Sequence, residues 1–183
     1  MPRAPSWMLT RKRVALLALA ACILPVTVAH GQSRAAEADR YAAVLRFVEQ
    51  LKADYPDVPT ISADSLSRAL PSTDIVLVDV RSDEERAVST LPGAITAEEF
   101  EDRLDEFGRS GRTLVAYCTI GARSSAYTRR MRARGVDMTN LEGSVLAWTH
   151  AGGMLSSEGV PTRRLHVYGR RWNLAADGYM TVW

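Results

Sequence analysis

Between residues 35 and 53 the apolar positions Ala38, Tyr41, Val44, Leu45, Val48 and Leu51 recur at steps of three and four, with Glu, Asp, Arg and Lys between them. That spacing lays an apolar stripe along one face of a helix. Tyr55-Pro56-Asp57-Val58-Pro59 ends it and reads as an extended linker, because proline disfavours helix at the residue before it. Ile61-Ser62 predicts a short strand entry, with Ser62 capping a helix over 63–70. The period then changes: "IVLVDV", residues 75–80, is an apolar, largely β-branched run of the kind buried on both faces of a parallel sheet. "LPGAI", 91–95, turns into a further short strand. Residues 98–107 predict one charged helix with Phe100, Leu104 and Phe107 on a single face, closed by Gly108. "TLVAY", 113–117, is a second buried strand, followed by a loop and a helix over 124–134 that ends at Gly135. "VDMTNLEGS", 136–144, supplies a third strand and a glycine turn, and a last helix starts at 145. This alternation predicts an α/β fold with a mainly parallel sheet flanked by helices. Residues 161–183 lack a helical period, although 165–168 could form a strand.

A different apolar run, residues 14–29, follows Arg11-Lys12-Arg13 and ends in small residues, which is the pattern of an export signal. Cleavage after Ala29, or after Gly31, gives a soluble periplasmic or secreted protein. Leu19-Ala20-Ala21-Cys22 also fits the short lipoprotein consensus, in which Cys22 is lipidated and becomes the anchor; against it, residues 23–29 stay apolar. An uncleaved anchor is a third reading, although the run is shorter than the ~20 residues a spanning helix needs and Pro25 interrupts it. Membrane attachment is therefore expected only through Cys22 lipid or an uncleaved signal. The length of 183 residues suits one core with appendages. The expected organisation is an export signal over 1–29, a helix and linker over 30–59, a central domain over 60–155, and an arginine- and aromatic-rich C-terminal extension over 156–183.

The signal alters the charge. The whole chain carries +2, and removing Arg3, Arg11, Lys12 and Arg13 with residues 1–29 leaves −2, so net charge makes no case for nucleic-acid binding. Acids dominate up to Gly111 and arginines after it. The C-terminal arginines Arg163, Arg164, Arg170 and Arg171 are expected to pack on the domain beside Tyr168, Trp172, Tyr179 and Trp183; the other reading is a lid that draws in anions. Of two cysteines only Cys118 outlasts cleavage, so no intramolecular disulfide is available, and a lone thiol in an oxidising compartment needs a reason. His30, His150 and His166 stand at no ligand spacing with a cysteine or an acid, so no metal site is expected.

The reason lies in "VAYCTIGARSS", residues 115–125. In an open parallel sheet chemistry sits beyond the carboxyl ends of the strands, where Cys118 falls. A helix starting just after it turns N–H groups and the positive end of its dipole toward the loop, which favours an anion or a thiolate. Gly121 lets the loop turn tightly so that several amides converge. Arg123 is expected to hold the rim, mainly by bonding loop carbonyls, and Ser124 to cap the helix and stand as a weak donor near the sulfur.

Four stretches resemble the rhodanese (sulfurtransferase) family in order and spacing: "LVDVRSDEE", 77–85; "LPGAI", 91–95; "YCTIGARS", 117–124; and "NLEGSVLAW", 140–148. The resemblance implies a five-stranded, largely parallel sheet between helices. It also implies a reaction in which Cys118 takes a sulfane sulfur from a small donor (thiosulfate, a persulfide or a polysulfide) and passes it to a thiol, a cyanide-like nucleophile or a protein acceptor. Carried over by position, Cys118 is the nucleophile, and Thr119, Ile120, Gly121, Ala122, Arg123 and Ser124 form the substrate-binding loop; Asp79 and Arg81 match structural positions. Related phosphatases of this fold have five residues between Cys and Arg, whereas this chain has four, which disfavours phosphatase or arsenate-reductase chemistry. A non-catalytic binding module is the alternative. Thr119, Ile120 and Ala122 are uncharged, which leaves the donor open. Ser89-Thr90 stand where many members have Gly-His, and Ser144 where many have a second Gly; both read as folding variations.

Overall fold

The computed structural model describes residues 24–70, 72 and 74–183. The expected export signal, with Cys22, lies outside them except for residues 24–29, which begin helix α1 (Leu24–Asp54). Glu37–Trp183 forms one compact unit, which holds the sheet and the site. Among the described residues no helix is long and apolar enough to cross a membrane.

The sheet is built from β1 (Thr60–Ile61), β2 (Ile75–Asp79), β3 (Ile95–Thr96), β4 (Thr113–Tyr117) and β5 (Met138–Leu141) in the order β1-β5-β4-β2-β3. Every pairing is parallel, with β4 between β5 and β2. Successive side chains on a strand point to opposite faces, so the apolar runs of β2 and β4 feed two cores. Leu77, Val115 and Tyr117 join Val44 of α1, Leu66 of α2 (Ala63–Ala69) and Val145, Leu146 and Trp148 of α7 (Ser144–His150). Val76, Val78, Leu114 and Ala116 join Phe100 of α4 (Ala97–Asp102), Phe107 of α5 (Leu104–Gly108) and Met131 of α6 (Ala122–Ala133).

Local signals explain most boundaries. Ser62 caps α2 by accepting the Ser65 N–H. Thr96 and Glu99 form a capping box that starts α4. Three expectations need correction, and one helix was not expected at all. The single helix over 98–107 is two, broken at Arg103 with φ −111° and ψ 26°. Seven residues of straight helix rise about 10 Å, whereas the Phe100 and Phe107 rings stack with centroids 5.5 Å apart, which the break allows. Residues 55–59 are not an extended linker: Val58 N–H donates to Tyr55 O at 3.1 Å, and this turn buries Val58. A helix unforeseen in the sequence, α3 (Asp83–Val88), opens with a Ser82–Glu85 capping box. Finally, α6 starts two residues early, with Gly121 as its N-cap at φ 115°, so Ser124 sits inside the first turn and is not the cap.

The C-terminal residues form a hairpin of β6 (Leu155–Ser157) and β7 (Val160–Thr162), then a parallel pair, β8 (Arg164–His166) with β9 (Met180–Val182). Leu165 and Val167 are fully buried in the core that contains Tyr117. The arginines lie over aromatic rings: Arg163 on Tyr179, Arg170 on Trp183 and Arg171 on Trp172. The extension thus packs on the domain through Leu165 and Val167, while Tyr168 and Trp183 stay exposed.

Candidate active site

Cys118 follows the last residue of β4 and is 1% exposed. The loop after it faces two ways. Its carbonyls turn to the start of α7, where Cys118 O accepts Val145 N–H and Thr119 O accepts Leu146 N–H, both at 3.2 Å. Its amides are left for the sulfur, and Gly121 N–H donates to Cys118 Sγ at 3.2 Å. The Ser124 hydroxyl lies 3.6 Å from that sulfur and the Ser144 hydroxyl 4.0 Å, while Ser144 Oγ also accepts the Cys118 N–H at 3.0 Å. Burial pushes the thiol up; the Ser124 N–H and hydroxyl, the Arg123 charge and the Gly121 N–H together outweigh it, so the thiol is held below its ordinary value.

Arg123 does hold the rim, but not through loop carbonyls. Its Nη1 and Nη2 donate to Glu85 Oε2 and Oε1 at 2.6 and 2.8 Å, and Nη2 also reaches Thr119 Oγ1 at 3.0 Å. Thr119 Oγ1 in turn donates to Glu85 Oε1 at 2.8 Å. Burial alone would raise the Glu85 carboxyl, yet the Arg123, Ser82 and Thr119 donors lower it to about 2. A carboxylate is chosen over loop carbonyls because one buried charge is best matched by another in fork geometry. The exposed ring of Tyr168 lies over the outer side of Arg123, 5.2 Å from the guanidinium carbon.

A second polar network, under the loop, explains Asp79 and Arg81. Arg81 Nη2 donates to Asp79 Oδ2 and to Ser89 O, both at 2.6 Å, and Tyr117 OH donates to Asp79 Oδ2 at 2.6 Å while accepting the Leu91 N–H at 3.0 Å. These bonds tie β2, β4 and the turn before β3 together and leave the sulfur alone. Helix α1 closes the other side. A Cβ on Gly121 would stand 3.3 Å from Leu51 Cδ1, and one on Gly143, at φ 62°, would stand 2.9 Å from Val44 Cγ1. Both glycines therefore serve a positive φ and a close approach of the helix.

Residues 62–151 match the family model of the rhodanese-like domain. The chain belongs to the rhodanese-like family. A rhodanese-like domain protein from Staphylococcus aureus is 32% identical over 50% of this chain and 91% of its own, with a TM-score of 0.44. A rhodanese-related protein from Thermoplasma volcanium is 20% identical over 55% of this chain and 99% of its own, with a TM-score of 0.48. The thiosulfate sulfurtransferase from Pseudomonas aeruginosa is 24% identical, with a TM-score of 0.52; the match covers 60% of this chain but only 22% of that one, and it supports the fold. No curated protein matches this chain.

Within this rhodanese-like domain, Cys118, Gly121, Arg123 and Ser124 stand together at the sulfur. Thr119 acts at one remove, through Glu85 and Arg123. Ile120 turns its side chain into the core and Ala122 is exposed, so neither brings a polar side chain to the site. Ser89 serves as a folding variation, its Oγ donating to Arg164 O at 2.6 Å, and the Thr90 backbone bridges to Ser156; both fasten the C-terminal residues. Ser144 is not one, since its hydroxyl stands at the cysteine. Glu85 and Ser144 are the two site residues that sequence reasoning missed. The Ser82-to-Glu85 capping signature could have placed Glu85 in a helix, but nothing local ties it to a loop 38 residues away. Among the described residues no cluster of three or more His, Cys, Asp or Glu side chains could hold a metal ion. His150 instead stacks on Tyr41 and bonds Leu174 O, and His166 accepts the Tyr168 N–H.

Proposed function

We propose that this protein is a sulfurtransferase that carries sulfane sulfur as a Cys118 persulfide. The observation that carries the reading is the sulfur's setting: a buried cysteine with an amide, a hydroxyl and a guanidinium charge, all favouring its anion. With thiosulfate the thiolate attacks the outer sulfur; the Cys118 S–S bond forms, the bond to the sulfite sulfur breaks, and sulfite leaves with that electron pair. A thiolate or cyanide then attacks the outer sulfur of the persulfide and returns the Cys118 thiolate. Neither step needs a metal or organic cofactor. Because Arg123 is already paired with Glu85 and the remaining loop side chains are uncharged, the loop offers no unpaired cation to a dianion, and an uncharged or singly charged organic persulfide is a better-matched donor than thiosulfate.

Intact-protein mass spectrometry after incubation with thiosulfate or an inorganic polysulfide tests this. One added sulfur is expected in the natural protein and none in Cys118→Ser. No uptake from either donor would refute the reading and favour a binding module, whose partner should be retained by Cys118→Ser. In the same reading the protein acts outside the cytoplasm, and the spectrum of protein recovered from its native host gives the cleavage site and any lipid on Cys22.

A further inference from the structure

Ser144 is held in an unfavourable backbone conformation, and its side chain is completely buried. Its φ is 49°, in the left-handed region that glycine enters freely and serine enters at a cost. A glycine would serve the turn better, so the hydroxyl is what a serine adds there. That hydroxyl accepts the Cys118 N–H at 3.0 Å, and its single proton has three acceptors in reach: Leu141 O at 3.3 Å, Ser124 Oγ at 3.4 Å and Cys118 Sγ at 4.0 Å. Ser124 Oγ has a matching choice between Gly121 O at 3.2 Å and Cys118 Sγ at 3.6 Å. While the sulfur is a thiol, both hydroxyl protons are satisfied at the carbonyls. A sulfur anion is a stronger acceptor, and each O–H can turn to it with little movement of the heavier atoms.

We propose that Ser144 and Ser124 form a two-hydroxyl relay that turns from backbone carbonyls to the Cys118 sulfur when that sulfur is anionic, with Ser144 as a further positioning residue of the site. Ser144 acts through two routes: it fixes the Cys118 backbone through the N–H bond, and it shares its proton with Ser124 and the sulfur. The inference rests on the reading of Cys118 as a sulfur carrier, and its consequence is a larger anionic fraction of that sulfur at neutral pH.

The test uses the full chain with Ser144→Gly, which relieves the backbone and removes the hydroxyl, and Ser144→Ala, which keeps the backbone demand and removes the hydroxyl. The ultraviolet absorbance of the Cys118 thiolate is followed against pH, with Cys118→Ser as the blank, and thermal unfolding is measured alongside. Both variants are expected to move the thiolate midpoint upward by about one pH unit, a roughly tenfold loss of thiolate below it, with Ser144→Gly unfolding no earlier than the natural protein. An unmoved midpoint in both variants overturns the proposal and leaves Ser144 a structural bridge. A shift in Ser144→Ala alone overturns it as well, since backbone strain and not the hydroxyl would then be responsible. The titration needs no sulfur donor. Failure of sulfur uptake in the natural protein therefore refutes the proposed function, whereas uptake with an unmoved midpoint refutes the relay.

Discussion

Replacing Glu85 by Gln tests the tie between the loop arginine and the domain. The Glu85 carboxylate is 1% exposed and accepts four bonds: from Arg123 Nη1 and Nη2 at 2.6 and 2.8 Å, Thr119 Oγ1 at 2.8 Å and the Ser82 N–H at 3.1 Å. They hold its carboxyl at about 2 against an ordinary 4.5. The folded state therefore prefers the ionised form, and the stabilisation is complete above pH 4.5 and lost as pH falls through about 2. At 1.36 kcal/mol per pH unit that separation corresponds to about 3 kcal/mol at neutral pH. Glutamine keeps the shape but turns an amide donor toward a guanidinium and a hydroxyl. Arg123 is 38% exposed along its side chain and recovers some hydration, which keeps the loss near the lower end of the ~3–5 kcal/mol seen when a fully buried pair is broken. Chemical denaturation at neutral pH should show Glu85→Gln less stable by about 3 kcal/mol, with the gap to the natural protein closing between pH 4.5 and about 2. A loss below ~1 kcal/mol, or a gap of constant size down the acid limb, would refute the reasoning.

Three further substitutions examine the frame around the site. Tyr117→Phe removes a buried hydroxyl that joins Asp79 to the Leu91 N–H, so equilibrium unfolding should register a loss of about 2 kcal/mol, and a neutral result would show that network to be dispensable. Gly153→Ala places a methyl 2.1 Å from Trp148 Cε2, in a ring that is 3% exposed and bonded through Nε1 to Met154 O; a destabilisation of about 3 kcal/mol is expected, and normal unfolding with unchanged Trp148 fluorescence would contradict it. Leu165→Ala opens a void at a fully buried position of β8 and should cost about 2–5 kcal/mol, whereas a C-terminal strap lying loosely on the surface would lose less than ~1 kcal/mol.

The sheet strands were the most legible part of the fold. Residues 75–80 and 113–117 read as doubly buried strands because nearly every position is apolar, and they form the neighbouring β2 and β4. Short elements were harder to read. Six residues of α3, mostly charged, carry no apolar stripe, and the split between α4 and α5 follows from how two phenylalanines stack, which no periodicity records. At the site, Cys118, Gly121 and Arg123 were legible because a strand end, a turn glycine and a following helix lie within one stretch of chain. The partner of Arg123 was not, since loop carbonyls and a distant carboxylate are equally open to an arginine until the fold brings one of them within reach.

What the sequence determined by itself is therefore local. It set the alternation of strands and helices, the position of the thiol at the end of β4, and the four-residue cradle of loop between Cys118 and Arg123, because each depends on neighbours along the chain. The tertiary structure decided the charge balance of that cradle through Glu85, the closing of one side by α1 through Gly121 and Gly143, and the role of Ser144, a substitution that reads as a folding detail until β5 and α7 set its hydroxyl against Cys118. These depend on side chains far apart in sequence that meet only when the parallel sheet closes, so hydrophobic pattern, which constrains what is buried, leaves open which polar groups are buried together.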